Sequence, residues 1–137
     1  MQIRPRRLRM NRAIREMVRE VRISPKALIL PFFIKEGVNI VEPIEALPGH
    51  RYYSPDNIIE GVAQAYQYGI RNVILFGIPD KKDDLASGAY AEDGVVQQAI
   101  RSIKTSYTDI IVITDVCLCE YTANGHCGLV KNNVVLN

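Results

Sequence analysis

The chain has no tryptophan and no cysteine outside residues 115–128, and none of its apolar runs approaches the ~18 residues of a membrane-spanning helix. The short apolar runs exclude a helical span. The arginine-rich start is followed by no apolar core of a secretory signal. It has no serine before Ser24, unlike the Ser-rich transit peptides of organelles. Three cysteines, an odd number, argue against a disulfide framework and for a reducing compartment, so the expected location is cytoplasmic. Other absences narrow the function classes. "PFFIKEGVN" lacks the G-x-G-x-x-G spacing of a dinucleotide site. A zinc ribbon wants two Cys-x-x-Cys pairs, and this chain has one Cys-x-Cys and a single further Cys. The basic arm carries no aromatic residue for base stacking. Neither a nucleic-acid nor a membrane partner is expected.

What is present fits one domain of ordinary size, with 47% apolar residues among 137. The net charge of +2 hides an asymmetry. Residues 1–22 hold eight arginines against Glu16 and Glu20, a net of +6, which leaves −4 for the rest. The expected division is a basic arm with a short helix over 1–24, followed by a body over 25–137.

The periodicity predicts the elements of that body. "NRAIREMVREVR" (11–22) places Ile14, Met17, Val18 and Val21 on one helical face, with Asn11 as cap and Ser24-Pro25 as the stop. "ALILPFFI" (27–34), "NVILFGI" (72–78) and "DIIVITDV" (109–116) read as strands buried on both faces. "EPIEALPGHRYYSPD" (42–56) reads as turn-rich, with Ser54-Pro55 opening a helix that buries Ile58, Ile59, Val62 and Tyr66 and ends at Gly69. Residues 79–93 read as a long polar loop. A helix follows with Val95, Val96, Ala99, Ile100 and Ile103 on one face. The tail "KNNVVLN" reads as a turn and an interrupted segment. Apolar strands alternating with amphipathic helices mean a parallel α/β architecture, either an open sheet or a (β/α)8 barrel. In a barrel the chemistry sits on loops at the carboxyl ends of strands.

Such a loop follows the third strand. "DVCLCEYTANGHCG" (115–128) holds Cys117, Cys119 and Cys127. Side chains two apart on an extended chain point the same way. Cys127 returns after a loop with Gly125, so three thiolates can converge on one soft ion, zinc first among them. With three cysteines, a fourth position is left for water or substrate, as in a catalytic site. A closed structural site with His126 as fourth ligand is an alternative, and Asp115 and Glu120 are further candidates to close the shell. A disulfide and three inert thiols are the remaining readings. Asp115, at the end of the third strand, either orients a substrate amine and moves a proton or simply caps the loop. His50 reads as a loop histidine.

These residues carry a resemblance. "TDVCLCEYTANGHCG" resembles the zinc-cysteine segment of the porphobilinogen synthase (delta-aminolevulinic acid dehydratase) family. "RPRRLR" (4–9), "LILPFFIKEG", "EPIEALPGHRYYSPD" and "VILFGIPDKKDDLASGAYAEDGVVQQAIRSIK" are similar to its arm, first strand, following loop, and second strand with loop and helix. Departures are Leu47, where Met is usual, Asn124, where many relatives have His, and Ala86, where Gly is common. The resemblance implies a TIM barrel with an N-terminal arm that embraces a neighbouring subunit, usually in a homo-octamer. It implies condensation of two 5-aminolevulinate molecules to porphobilinogen, with loss of two waters, in tetrapyrrole and haem biosynthesis. It assigns a catalytic zinc to Cys117, Cys119 and Cys127, the active-site aspartate to Asp115, and a proton-handling histidine to His126.

A (β/α)8 barrel needs about 250 residues. The expectation is therefore an N-terminal fragment with an arm and three βα units, inactive alone. The family's two Schiff-base lysines match none of Lys26, Lys35, Lys81, Lys82, Lys104 and Lys131, and any allosteric magnesium site falls outside the chain. The alternative is a truncated, non-catalytic zinc-binding relative or a protein that docks on full-length subunits.

Overall fold

The computed structural model describes residues 6–132 and 134–136. In chain order its elements are α1 (Arg12–Met17), β1 (Ile29–Lys35), β2 (Val41–Pro43), β3 (Arg51–Tyr53), α2 (Ile58–Gln67), β4 (Asn72–Ile78), α3 (Ser87–Tyr90), α4 (Val95–Ser106), β5 (Ile111–Thr114), β6 (Leu129–Lys131) and β7 (Val134–Leu136). Five strands form one sheet in the order β2-β3-β1-β4-β5. The β1, β4 and β5 strands run parallel, β3 joins β1 in parallel, and β2 closes that edge antiparallel to β3. This is the mixed α/β architecture with a parallel sheet that the alternating pattern predicts. The first residues of the expected arm, 1–5, lie outside the described residues.

Both long helices cover one face of the sheet. Strand residues Phe32, Ile34, Val73 and Leu75 pack with Ile58, Val62 and Ala65 of α2 and with Val95, Val96, Ala99 and Ile103 of α4. The α2 helix stops at Gly69, whose φ of 81° suits a residue without a Cβ. Gly61 lets α2 lie close to the sheet, because a Cβ there would stand 2.7 Å from Phe32 Cε1 and 2.9 Å from Tyr53 Cζ. On the other face Phe33 and Phe76 stack at 5.6 Å between centroids.

Several expectations are corrected. The two long strands, β1 and β4, are buried on one face only: in β4, Val73, Leu75 and Gly77 are buried while the residues between them are partly exposed. The third strand is shorter than 109–116 and lies at the sheet edge, where Ile111 is 58% exposed. Asn11 caps α1 as expected, accepting a bond from Ile14 N at 2.9 Å, but the helix ends at Met17 rather than Arg22. Met17, Val18 and Val21 are exposed, and a helix of six residues gains too little without packing to continue. Ser54 does not cap a helix with its side chain. Its hydroxyl accepts from Ile40 N at 2.9 Å, and α2 starts only at Ile58. The turn-rich stretch contains β2 and β3. The tail forms the β6–β7 hairpin beside Asn132, whose φ is 51°; Asn133 lies outside the described residues.

The one-sided core makes a measurable contrast. Ile103→Ala, at a fully buried position, is expected to cost about 2–5 kcal/mol. Val116→Ala, at a side chain 98% exposed, is expected to stay within about 0.5 kcal/mol. Denaturant titration of the two variants reads both.

Candidate metal centre at the end of the third parallel strand

Register puts the site where it is. Leu75 lies opposite Thr114, and Asp115 N donates to Leu75 O at 3.5 Å, which carries the pairing one residue further and sets Asp115 beside Phe76. Val73 and Leu75 face the helices, so alternation turns Ile113 and Asp115 to the open face. The chain then leaves the sheet. Cys117 Sγ lies 2.9 Å from Cys119 Sγ and 3.1 Å from Cys127 Sγ, and all three sulfurs fall within 4.8 Å of one another.

Three thiolates on a tetrahedral ion at a metal–sulfur distance of about 2.3 Å stand about 3.8 Å apart. The two spacings from Cys117 fall short of that value by about 1 Å or less, so small side-chain rotations bring the sulfurs to it. The donor set therefore fits a thiophilic divalent ion. All three cysteines are free, so the disulfide alternative is not realised. Among the described residues, His126, Asp115 and Glu120 do not join the sulfur group, which offers three protein donors. Three ligands leave room for a fourth from solvent or substrate.

The loop is held by its own backbone and by a neighbour. Tyr121 N and Thr122 N both donate to Leu118 O, at 2.9 and 3.0 Å. The buried Thr122 hydroxyl donates to His126 O at 2.9 Å, and His126 N donates to Asn124 Oδ1 at 2.8 Å. Those two bonds draw the limb carrying Cys127 back toward Cys117. Asn124 thus makes an Asx turn with its carboxamide oxygen. The His126 residue is exposed. From the second loop, Asp83 N donates to Tyr121 O at 3.2 Å and Asp83 O accepts from Ala123 N at 3.1 Å. The Asp83 carboxylate accepts from Leu85 N and Ser87 N, bonds that hold it below its usual range. Ala86, in that same loop, has φ 54° and is fully buried, a left-handed backbone that Gly adopts without strain.

Two hollows flank the loop. One, of about 370 Å³, lies between α4 and the chain from Thr114 to Leu118, with Gly77 and Tyr121 in its wall. The other, of about 260 Å³, opens on the uncovered face and is lined by Phe33, Ile44, Tyr52, Phe76, Lys82 and Glu120. Burial, and then the charge of Asp115, push the Glu120 carboxyl above its ordinary range. Burial pushes the Tyr121 phenol up to about 12, helped by Glu120 and Asp115. Among the sulfurs, hydrogen bonds with Cys119 and Cys127 push Cys117 up to about 12, whereas the bond from Cys117 lowers Cys127. Tyr121, Thr122 and Asp83 were not legible as site residues. Their only signal is that Tyr121 and Thr122 stand between the second and third cysteines. His50 packs edge-on to Phe33 at 6.2 Å, a loop position as expected.

The comparisons are consistent along the chain. A family model described as "ALAD: Delta-aminolevulinic acid dehydratase" matches residues 2–137. The delta-aminolevulinic acid dehydratase of Ruminiclostridium josui is 48% identical over 98% of this chain and 65% of its own length. That of Bacillus subtilis (strain 168) is 46% identical over 98% of this chain and 41% of its own. A crystal structure of delta-aminolevulinic acid dehydratase (porphobilinogen synthase) from Toxoplasma gondii ME49, in complex with the reaction product porphobilinogen, superposes with a TM-score of 0.91 at 34% identity. That superposition covers 100% of this chain and 40% of the other. The chain thus spans about two fifths to two thirds of the relatives' length.

Proton competition gives the site a testable pH dependence. A thiol binds metal only after losing its proton, and free cysteine ionises near pH 8.5. Uptake of cobalt, followed by its thiolate charge-transfer absorption, is expected to strengthen by more than tenfold for each pH unit between 6 and 7. Calorimetry in two buffers is expected to give more than one proton released per ion.

Proposed function

The chain belongs to the delta-aminolevulinic acid dehydratase family, and from that membership we propose that it carries the metal loop of a porphobilinogen synthase. The reaction is the condensation of two 5-aminolevulinate molecules to porphobilinogen with loss of two waters, in tetrapyrrole biosynthesis. The observation that carries this reading is the convergence of three sulfurs on the loop that follows Asp115, at the carboxyl end of a parallel strand. In this reading the sheet of residues 25–137 is three βα units of a TIM barrel, whose helices pack on the outside, as α2 and α4 do.

Cys117, Cys119 and Cys127 would hold zinc, which when bound supplies Lewis-acid polarisation of a substrate oxygen. Asp115 is exposed and, by the β4–β5 register, falls on the open face, where it would accept a hydrogen bond from a substrate ammonium and take its proton. His126, exposed on the limb of Cys127, handles protons at the rim rather than closing the metal shell. No lysine here takes the Schiff-base role. Lys35, on the open face of β1, is held protonated by Glu42 at 2.9 Å, the wrong direction for an amine nucleophile. The 137 residues by themselves therefore bind zinc without turnover in this reading, and any magnesium site lies outside them.

The arm, residues 1–24, is proposed to dock on a neighbouring subunit in a homo-octamer. Support comes from Met10, Met17, Val21 and Ile23, each more than 70% exposed on the basic arm. The same exposed arm favours the second reading, a non-catalytic zinc-binding relative that docks on full-length subunits. No helix among the described residues is long and apolar enough to cross a membrane, and a cytoplasmic site of action is proposed.

A chimera tests the first reading against the second. The chain replaces the corresponding segment of the Bacillus subtilis relative, and porphobilinogen formation from 5-aminolevulinate is measured. Chelator-sensitive turnover is expected, and Asp115→Asn is expected to lower it by about 10²–10⁴-fold. A folded, zinc-loaded chimera without product would sink the catalytic reading. Co-elution of the 137-residue chain with the full-length relative would then favour the docking reading.

A further inference from the structure

Tyr121 sits in a slot that only glycines leave open. It is 7% exposed, deep for a residue in a loop whose next residues, from Ala123 to Cys127, are all exposed. A Cβ at Gly77 of β4 would overlap the Tyr121 hydroxyl and stand 2.9 Å from its Cζ, with Val96 Cγ2 of α4 equally near. A Cβ at Gly88 of α3 would stand 3.3 Å from Tyr121 Cδ1. The ring is thus wedged between the end of β4, the short helix α3 and the start of α4. The α3 helix is itself fastened to α4, since Gln97 Nε2 donates to Ala89 O at 2.9 Å. The backbone of Tyr121 is held from the other side by Asp83 N. Tyr121 is two residues from Cys119, and its neighbour Thr122 holds the limb of Cys127 through His126 O. No hydrogen bond from the Tyr121 hydroxyl to protein is needed for this seat; the ring fills it.

We propose that Tyr121, seated between Gly77 and Gly88, is a positioning residue that presets the loop so that Cys119 and Cys127 meet Cys117 before metal arrives. The proposal rests on the reading of the three cysteines as a zinc site. It assigns Gly77 and Gly88 a role in metal capture although neither touches the sulfurs. Without the seat, the loop must be ordered by the ion itself, and that ordering is subtracted from affinity. Supporting residues around a metal shell alter affinity by about 10–100-fold, and a loss in that range is expected here.

The experiment measures zinc affinity of the 137-residue chain by competition with a chromophoric chelator, and the cobalt charge-transfer spectrum of each variant. Tyr121→Ala and, independently, Gly77→Ala are expected to weaken zinc binding at least tenfold and to broaden the cobalt bands. Tyr121→Phe, which keeps the ring, is expected to bind as the parent does. Ile103→Ala serves as the control for lost stability, and it is expected to keep the parent's zinc affinity below its own melting temperature. Tyr121→Ala and Gly77→Ala chains that bind zinc as tightly as the parent would overturn the proposal alone. So would an equal loss in Ile103→Ala, since affinity would then follow stability. A parent chain that takes up no zinc would overturn the metal reading and this proposal with it.

Discussion

The parallel pairing of Asn72–Ile78 with Ile111–Thr114 is the constraint on which the site depends. It runs in register from Asn72 opposite Ile111 to Leu75 opposite Thr114, and one further bond extends it to Asp115. A slip of one residue would turn Asp115 to the helices and Thr114 to the open face. The side chains that forbid the slip lie on the covered face, where Val73, Leu75 and Ile103 are fully buried and Val112 packs against them. The core thus sets the direction of a carboxylate that is not part of it. The next residues have no strand partner, so the chain turns away and the cysteines gather beyond the end of the sheet.

Much of this was legible in the sequence because the deciding interactions are local. The β4 strand matches the apolar run 72–78, and α4 follows the 3.6-residue spacing of Val95, Val96, Ala99 and Ile103. The Asn11 cap and the Gly69 stop are read from single residues whose chemistry suits those positions. The two-residue spacing of Cys117 and Cys119 also foretold that their sulfurs would meet. What was missed depends on distant partners. The short strands β2 and β3 exist because Val41–Pro43 and Arg51–Tyr53 pair with each other and with β1, and no periodicity announces three-residue strands. The α1 helix is shorter than its pattern because Met17 and Val21 stay more than 70% exposed and gain little from packing. The seat of Tyr121 depends on glycines 44 and 33 positions earlier in the chain, a relation that spacing within the loop does not contain.

The departures from the family pattern have physical consequences that the structure locates. Ala86, where the resemblance leads one to expect Gly, occupies a left-handed backbone position, φ 54° and ψ 39°. Such a backbone costs an alanine about 1–2 kcal/mol. The methyl group is fully buried, and the contact it makes offsets part of that cost. The bonds from Leu85 N and Ser87 N to the Asp83 carboxylate hold the backbone on either side, so the strained residue is fixed by its neighbours. Asn124, where the resemblance leads one to expect His, uses its carboxamide oxygen to accept from His126 N. It therefore serves the return limb of the loop.

A similar division of labour runs through the sheet. Its covered face is a packed apolar core. Its open face is apolar too, with Phe33, Ile74, Phe76 and Ile113 pointing away from the helices, and Phe33 stacked on Phe76. Parallel sheets are stable when both faces are covered, so these residues are chosen for a covered environment. Asp115 is the one acidic side chain that the β4–β5 register adds to that face. A carboxylate at the rim of an apolar surface is cheap to hold while water reaches it. Three thiolates repel one another, and an ion held by them would neutralise their charge. Keeping the two beside each other but on separate supports, one on the strand and one on the loop, lets each be tuned without disturbing the other.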